Sequence, residues 1–287
     1  MLLQSVLSSG IAAGAFYALL AMALQMTYSG SGILNFAQGD IAAFGAFAYW
    51  QFTVKNHVDG LIALVLALVL GLVVGAVVYL LLRPFSSRSA FEASMASIAV
   101  SFLLEGVFQY HFGSQTLLPA PLVRGGPLHL GGAVVPRQDI VIIVVAALAG
   151  AAVFVLLRLT RLGLAIRAVA NNPEAARIAG VRVGLVQGSV FAIGGLLSFA
   201  GGAVTAPIVG AGFVSGQTFI VSAFVAAVLG GLGAVWMAAL GGLALGIIES
   251  IIGSTSISNY TDAALFVVLI LVLLFRPGGL AGKAQAT

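Results

Sequence analysis

LIALVLALVLGLVVGAVVYLLL, residues 61–82, carries no charged side chain. A helix rises 1.5 Å per residue, so about 20 such residues cross a hydrocarbon layer roughly 30 Å thick. Comparable runs lie near 5–28, 33–54, 91–112, 139–158, 185–209, 217–233, 236–252 and 259–275. Barrel strands would alternate apolar and polar residues over about ten positions. These runs are continuously apolar at helix length, which predicts helices. Of the nine candidates, the seventh and eighth are short and broken by glycine (VLGGLGAVWMAALGGLALG), so the expectation is eight to ten segments, some discontinuous. Composition agrees: 61% of residues are hydrophobic and 7% charged, against about 25% charged in a soluble domain. The fold class is an all-α integral membrane protein, a polytopic helical bundle in one domain over residues 1–287, with the lipid bilayer as its surroundings.

Function classes narrow quickly. The chain has no cysteine and three histidines, His57, His111 and His129, none at metal-ligand spacing. No cofactor, metal or nucleic acid is expected, and no catalytic constellation stands out. GGLAGKA near the C-terminus imitates a phosphate-binding loop only superficially. Pro277 stands where the first glycine is required and Ala284 where a Ser or Thr would hold magnesium. The N-terminal run lacks a basic leader region and reads as a retained first span.

Positive charges orient such a chain, since Lys and Arg concentrate in cytoplasmic loops. Arg83, Arg88, Arg158, Arg161, Arg167, Arg177, Arg182, Arg276 and Lys283 follow the third, fifth and last spans. They are assigned to the cytoplasm, and Lys55, Arg124 and Arg137 to the outside. Nine crossings then put the N-terminus outside and the C-terminus inside. Residues 113–138 form an external loop whose apolar pieces around a Gly pair suggest a small hairpin. Residues 159–184 form a long cytoplasmic loop.

That loop contains helix signals. Asn172 followed by Pro173 reads as an N-cap and first helical position. Glu174 then suits the helix dipole. PEAARIAG makes a short helix ended by Gly180, and LGLAIRAVA a second before it. Physics alone leaves two readings open: a basic interfacial loop, or a capped projection that docks into a partner's groove.

EAARIAG, residues 174–180, resembles the EAA loop of bacterial ABC importer permeases. GILNFAQGD, residues 32–40, and FVAAVLGGLGAVWMAALGGLALGIIES, residues 224–250, resemble motifs of one branch of that superfamily. So do LRPFSSRSA after the third span and LLFRPGGLAG at the C-terminus. In order, these resemble the LivH-type permeases of branched-chain amino-acid importers. The departures are Ala234 and Trp236, where Ser and Pro are usual, and Asp40, where Glu is common. The resemblance implies a permease subunit in a bacterial cytoplasmic (inner) membrane. Its partners would be a second permease subunit, a sister chain or itself, two cytoplasmic ATP-binding subunits and an external solute-binding protein. ATPase coupling would fall on Arg161, Arg167, Asn172, Pro173, Glu174, Ala175, Arg177 and Gly180. The same family allows urea, short amides or aromatic acids as cargo. A stand-alone secondary transporter is the remaining alternative.

Three polar residues inside GILNFAQGD need a reason, because an acid at a span's centre costs about 2.5–3.5 kcal/mol on insertion scales. Asn35, Gln38 and Gly39 are expected on one helical face, continued by Ala42 and Gly45 as a small-residue stripe. Either this stretch starts a helix at a polar junction that lines or supports the translocation path, or it is a cap at the inner interface. Glu105 sits mid-span with Gln109 and His111 as nearby partners; Glu249 sits near the outer end of its segment. Each is a candidate for the path or for packing. Glycines in 194–204 and 229–242 suggest tight helix packing or hinges. The NFAQGD and GGLGAVWM regions are candidates for related places in two halves.

Overall fold

The structure is a computed structural model that describes residues 2–86, 89–130, 133–231, 233–255 and 261–275. Arg88, Arg276, Lys283 and the C-terminal motif from residue 276 onward lie outside the described residues. Among the described residues eleven α-helices follow in order: α1 Leu2–Ser31, α2 Gln38–Trp50, α3 Gly60–Ser86, α4 Ala90–Phe112, α5 Arg137–Leu159, α6 Arg161–Asn171, α7 Pro173–Ile178, α8 Val183–Val209, α9 Ser215–Gly230, α10 Val235–Gly253 and α11 Thr261–Phe275. Two strands, β1 Leu128–Leu130 and β2 Ala133–Val135, pair antiparallel between α4 and α5. The expected hairpin is therefore present.

Each of the nine apolar runs contains a helix, but they differ in length. Six described helices, from α1, α3, α4, α5, α8 and α10, are long and apolar enough to cross a membrane. The second run departs from expectation. Residues 33–37 are not helical; α2 starts only at Gln38 and continues as a π-helical turn, Gln51–Lys55. Of the two glycine-broken segments, α9 is short and α10 is full length. The break between them falls at Gly231 and Gly233, whose φ values of 100° and 106° suit glycine and strain other residues.

The bundle has two recognisable ends. At one lie α6, α7 and the end of α3 with Arg83; at the other lie the β-hairpin and the starts of α1, α3 and α5. The core is α1, α2 and α8, with α9 and α10 against them. Helix α1 runs antiparallel to both α8 and α10 and packs closely on each: Gly30 meets Val190, Gly194 meets Thr27, and Gly14 meets Leu243. Helices α3, α4 and α5 surround this centre and expose apolar faces, as in Leu61, Val65, Val69 and Val73 on α3 and Phe102 and Leu103 on α4. An apolar exterior around a small-residue interior is the arrangement expected of a bundle in lipid, where burying apolar area gives no drive between helices and close backbone packing must supply it.

The glycine clusters serve that packing. A Cβ on Gly246 would fall on the Gly14 backbone, one on Gly202 on the Ala42 carbonyl, and one on Gly195 on the backbones of Gly71 and Gly75. Gly106 on α4 has nothing within 4 Å. Overpacking of this kind costs about 1–3 kcal/mol or more. Gly246→Val and Gly202→Val should therefore lower the thermal midpoint of the detergent-solubilised protein, followed by size-exclusion chromatography. Gly106→Ala should leave it unchanged or slightly raised. Equal behaviour of the three variants would contradict this packing.

Candidate functional site

Helix α1 ends at Ser31, and Gly32 turns the chain with φ 73°. The chain then runs non-helically through Ile33–Ala37 alongside the first turns of α4. Leu34 N–H donates to Ser94 Oγ at 3.0 Å and Phe36 N–H to Ser97 Oγ at 2.9 Å. Those serine hydroxyls replace the partners that a helix would have given these amides, which a membrane interior requires. Asn35 caps the turn that follows: its Oδ1 accepts from Ala37 N–H at 3.2 Å and its Nδ2 donates to Gln38 Oε1 at 2.9 Å. Gln38 Nε2 then reaches across to α8, donating to the Gly194 carbonyl at 2.9 Å and to Ser198 Oγ at 2.7 Å. Asn35, Gln38 and Asp40 are all buried to within 1%.

The same construction occurs once more, inverted. Helix α8 ends at Val209, Gly210 turns the chain with φ 84°, and a short non-helical stretch leads into α9 at Ser215. The two helix starts read Phe36-Ala37-Gln38-Gly39-Asp40 and Phe213-Val214-Ser215-Gly216-Gln217. Their N-cap residues, Ala37 (φ −72°, ψ −2°) and Val214 (φ −95°, ψ 0°), share one backbone conformation. Because α1 and α8 are antiparallel, α2 and α9 enter the bundle from opposite ends. They meet where Gly39 lies against Gly216 and Ile220. The counterpart of NFAQGD is thus residues 213–217, not the GGLGAVWM region.

Asp40 stands at this crossing. One carboxylate oxygen, Oδ2, accepts from the Ser101 hydroxyl. The other, Oδ1, has no hydrogen-bond partner and faces Gly216, where any Cβ would collide with it. Asp40 lies in the first turn of α2 and against the first turn of α9, so the positive ends of two helix dipoles converge on one carboxyl group. Glu105, one turn beyond Ser101 on α4, is close enough to Asp40 to interact electrostatically.

Several expectations change here. Asn35 precedes the helix rather than sharing its face with Gln38. The predicted stripe also divides: Gly39 faces α9, while Ala42 and Gly45 face α8 at Gly202 and Phe199. Glu105 is not satisfied by Gln109 or His111; both of those side chains are exposed, and Glu105 Oε1 has no hydrogen-bond partner. Glu249 does not join the junction and lies on α10 against a separate cleft. Sequence reasoning missed Ser94, Ser97, Ser101, Ser198 and Gly216. The first three carried a signal, because serines at i, i+3 and i+7 form one polar stripe on a helix. Ser198 and Gly216 carried none.

The loop at the other site matches its expected form. Thr160 caps α6 by accepting from Gly163 N–H at 3.0 Å. Asn172 Oδ1 caps α7 by accepting from Glu174 N–H at 3.0 Å and Ala175 N–H at 2.9 Å, with Pro173 at the first helical position. Gly180, φ 86°, ends the unit. Ile166, Val169 and Ala176 are buried beneath the loop, whereas Glu174, Ala175 and Arg177 face outward with Ile178, which is 89% exposed. Arg161 and Arg167 lie on α6; Arg167 Nε donates to the Gly163 carbonyl at 3.4 Å. Beside α7 runs a groove of about 1170 Å³ lined by Tyr79, Arg83, Asn172, Arg177, Arg182 and Gln187. A rigid cap, an exposed isoleucine and flanking arginines make a surface suited to a protein partner.

A bundle with broken helices at its centre and a capped basic loop at one end defines a multi-pass membrane permease. The chain belongs to the family described as branched-chain amino acid transport system / permease component, whose model matches residues 6–274. It is 30% identical to the high-affinity branched-chain amino acid transport system permease protein LivH of Escherichia coli K12, over 96% of this chain and 94% of that one. It is 29% identical to the permease protein BraD of Pseudomonas aeruginosa, over 97% and 95% respectively. A probable LivH of Methanocaldococcus jannaschii is 27% identical over 92% and 88%. No solved structure matches the chain.

Removing Gln38's side chain would take from the buried Asn35 amide its acceptor and from the buried Ser198 hydroxyl its donor, a loss of about 1–3 kcal/mol. Gln38→Ala should lower the thermal midpoint in detergent. Gly216→Val should prevent accumulation of folded protein, since its Cβ would collide with both the carboxylate and the backbone of Asp40. Wild-type midpoints for both variants would contradict the junction.

Proposed function

We propose that this chain is the membrane-spanning subunit of an ATP-driven importer for branched-chain or other hydrophobic amino acids. The observation that carries the reading is the match of nearly the whole chain to a branched-chain amino-acid permease family, together with the exposed, capped α6–α7 projection. In this reading the arginine end faces the cytoplasm of a bacterial inner membrane, consistent with the positive-inside rule. Two ATP-binding subunits seat on residues 161–180 of two permease subunits, this chain and a sister or second copy, and a solute-binding protein delivers cargo at the hairpin end.

The mechanism follows from rigidity. Asn172 and Gly180 fix both ends of α7, and Ala176 anchors it to the bundle, so a push or pull on Glu174, Arg177 and Ile178 is transmitted rather than absorbed. Helix α8 begins immediately after the loop and runs to the Gln38 contacts at Gly194 and Ser198. Movement of the loop along α8 therefore reaches the α2–α9 crossing through one continuous helix. Two half-helices abutting at Gly39 and Gly216 form the place where such a bundle can change arrangement. The apolar, Gly- and Ala-rich interior suits cargo with an aliphatic side chain.

Co-purification in mild detergent from the native host tests the reading. Wild-type protein should bring down an ATP-binding subunit, and a Glu174→Arg, Gly180→Arg double variant should not. Asn172→Ala, which removes a cap contributing about 1 kcal/mol, should retain expression but reduce ATP-driven leucine uptake into proteoliposomes. Wild-type protein recovered alone, under conditions that keep other ATP-driven importers whole, overturns the proposal.

A further inference from the structure

A cleft of about 600 Å³ opens between α1, α5, α8, α9 and α10 in the half of the bundle nearer the hairpin. Its size falls in the range of small-molecule sites, roughly 300–1,000 Å³. One wall is apolar, with Phe16 and Phe219 meeting edge to face at a centroid distance of 5.0 Å. Two carboxylic acids, Asp139 and Glu249, line the cleft, and among the described residues no Lys, Arg or His does. The Thr218 and Ser222 side chains, one turn apart on α9, border the same space.

Asp139 is the informative group. It is 6% exposed, lies in the first turn of α5, and its carboxylate accepts no hydrogen bond from any described residue. Its neighbours are engaged elsewhere. Arg137 points away, its Nε donating to the Gly126 carbonyl at 3.0 Å and its Nη1 to the Arg124 carbonyl at 3.4 Å. Gln138 donates to the Val204 carbonyl at 2.6 Å and accepts from Leu122 N–H at 3.1 Å. A buried carboxylate without a protein cation is costly unless something pairs with it.

We propose that this cleft recognises the α-ammonium group of an amino acid in passage, an inference that rests on the importer reading above. Asp139 and Glu249 receive the ammonium, the Phe16–Phe219 wall receives the aliphatic side chain, and the Thr218 and Ser222 hydroxyls donate to the carboxylate. The site takes small apolar molecules that carry an ammonium group and repels those that carry only a carboxylate.

The chain has no cysteine, so Ala13→Cys, at the edge of the cleft, supplies a single thiol. The test uses the full-length chain with its partner subunits in membrane vesicles. The cationic reagent methanethiosulfonate ethyltrimethylammonium should modify this thiol about tenfold or more faster than the anionic ethylsulfonate reagent, because like-signed clefts focus oppositely charged solutes. Leucinamide, which keeps the ammonium and lacks the carboxylate, should slow modification. 4-Methylpentanoate, which lacks the ammonium, should not. Asp139→Asn in the same background should erase both the charge preference and the protection, while reaction with neutral N-ethylmaleimide stays unchanged as a check on folding. Equal rates for the two charged reagents, protection by 4-methylpentanoate alone, or protection that survives Asp139→Asn would each overturn the proposal. So would a thiol inert to all three reagents, which would mean that another subunit seals the cleft. Leucine uptake driven by ATP is measured on the same vesicles. Uptake without protection sinks the cleft and leaves the importer reading standing; protection without uptake does the reverse.

Discussion

Backbone amides inside a hydrocarbon layer must find partners within the protein, and this structure is organised around the two places where the helix fails to provide them. At Gly32 and at Gly210 a long helix stops and the chain continues non-helically into the bundle. In lipid each unpaired amide would cost several kcal/mol. The first break is relieved by Ser94 and Ser97 from α4 and by the Asn35 turn, and Gln38 ties the turn to α8. The second is relieved by a two-way backbone pairing of Ala211 with Leu117 and by the Ser215 hydroxyl accepting from Gly212 N–H at 3.1 Å. These side chains are polar because the backbone requires it, and that requirement explains why a chain so poor in polar residues keeps them together.

Breaking both helices in this way creates something a straight helix cannot offer. Two helix N-termini are brought together inside the bundle, separated only by Gly39, Gly216 and the Asp40 carboxyl group. The positive ends of the two helices lie beside the acid, a position that favours a negative group. Glycine is required on both sides because no Cβ fits. The same logic of close backbone approach recurs along α1 and α10 and between α3 and α8, where Gly14, Gly246, Gly75 and Gly195 bring backbones together. Packing in this protein is therefore a property of missing side chains, and the apolar bulk is turned outward to lipid.

The α6–α7 loop obeys different physics, since it lies at the end of the bundle. There the caps are local and strong, with Thr160 and Asn172 each within three residues of the amides they serve. Its rigidity comes from short-range hydrogen bonds and from Ile166, Val169 and Ala176 beneath it. Residues 179–182 lead from this loop into α8, so one helix runs from its exposed surface to the Gln38 junction.

Local rules make much of this legible in the sequence. Runs of apolar residues at helix length specify the spans, because hydrocarbon leaves a helix as the simplest satisfied backbone. Asn172-Pro173 and Gly180 specify α7, because a cap and its helix are neighbours in sequence. What the sequence left open was every feature made by residues far apart in the chain. Nothing near Asn35 shows that the helix begins three residues later, because the hydroxyls that make this affordable sit on α4. The pairing of Gly39 with Gly216, the inverted relation of 36–40 to 213–217, and the gathering of Asp139 and Glu249 at one cleft likewise depend on which helices become neighbours. The helices, their order and the capped loop are written in the chain, through interactions that act within one or two turns. Where helices break inside the bundle and which polar groups meet depends on packing, since those outcomes are set by partners across the bundle rather than along the chain.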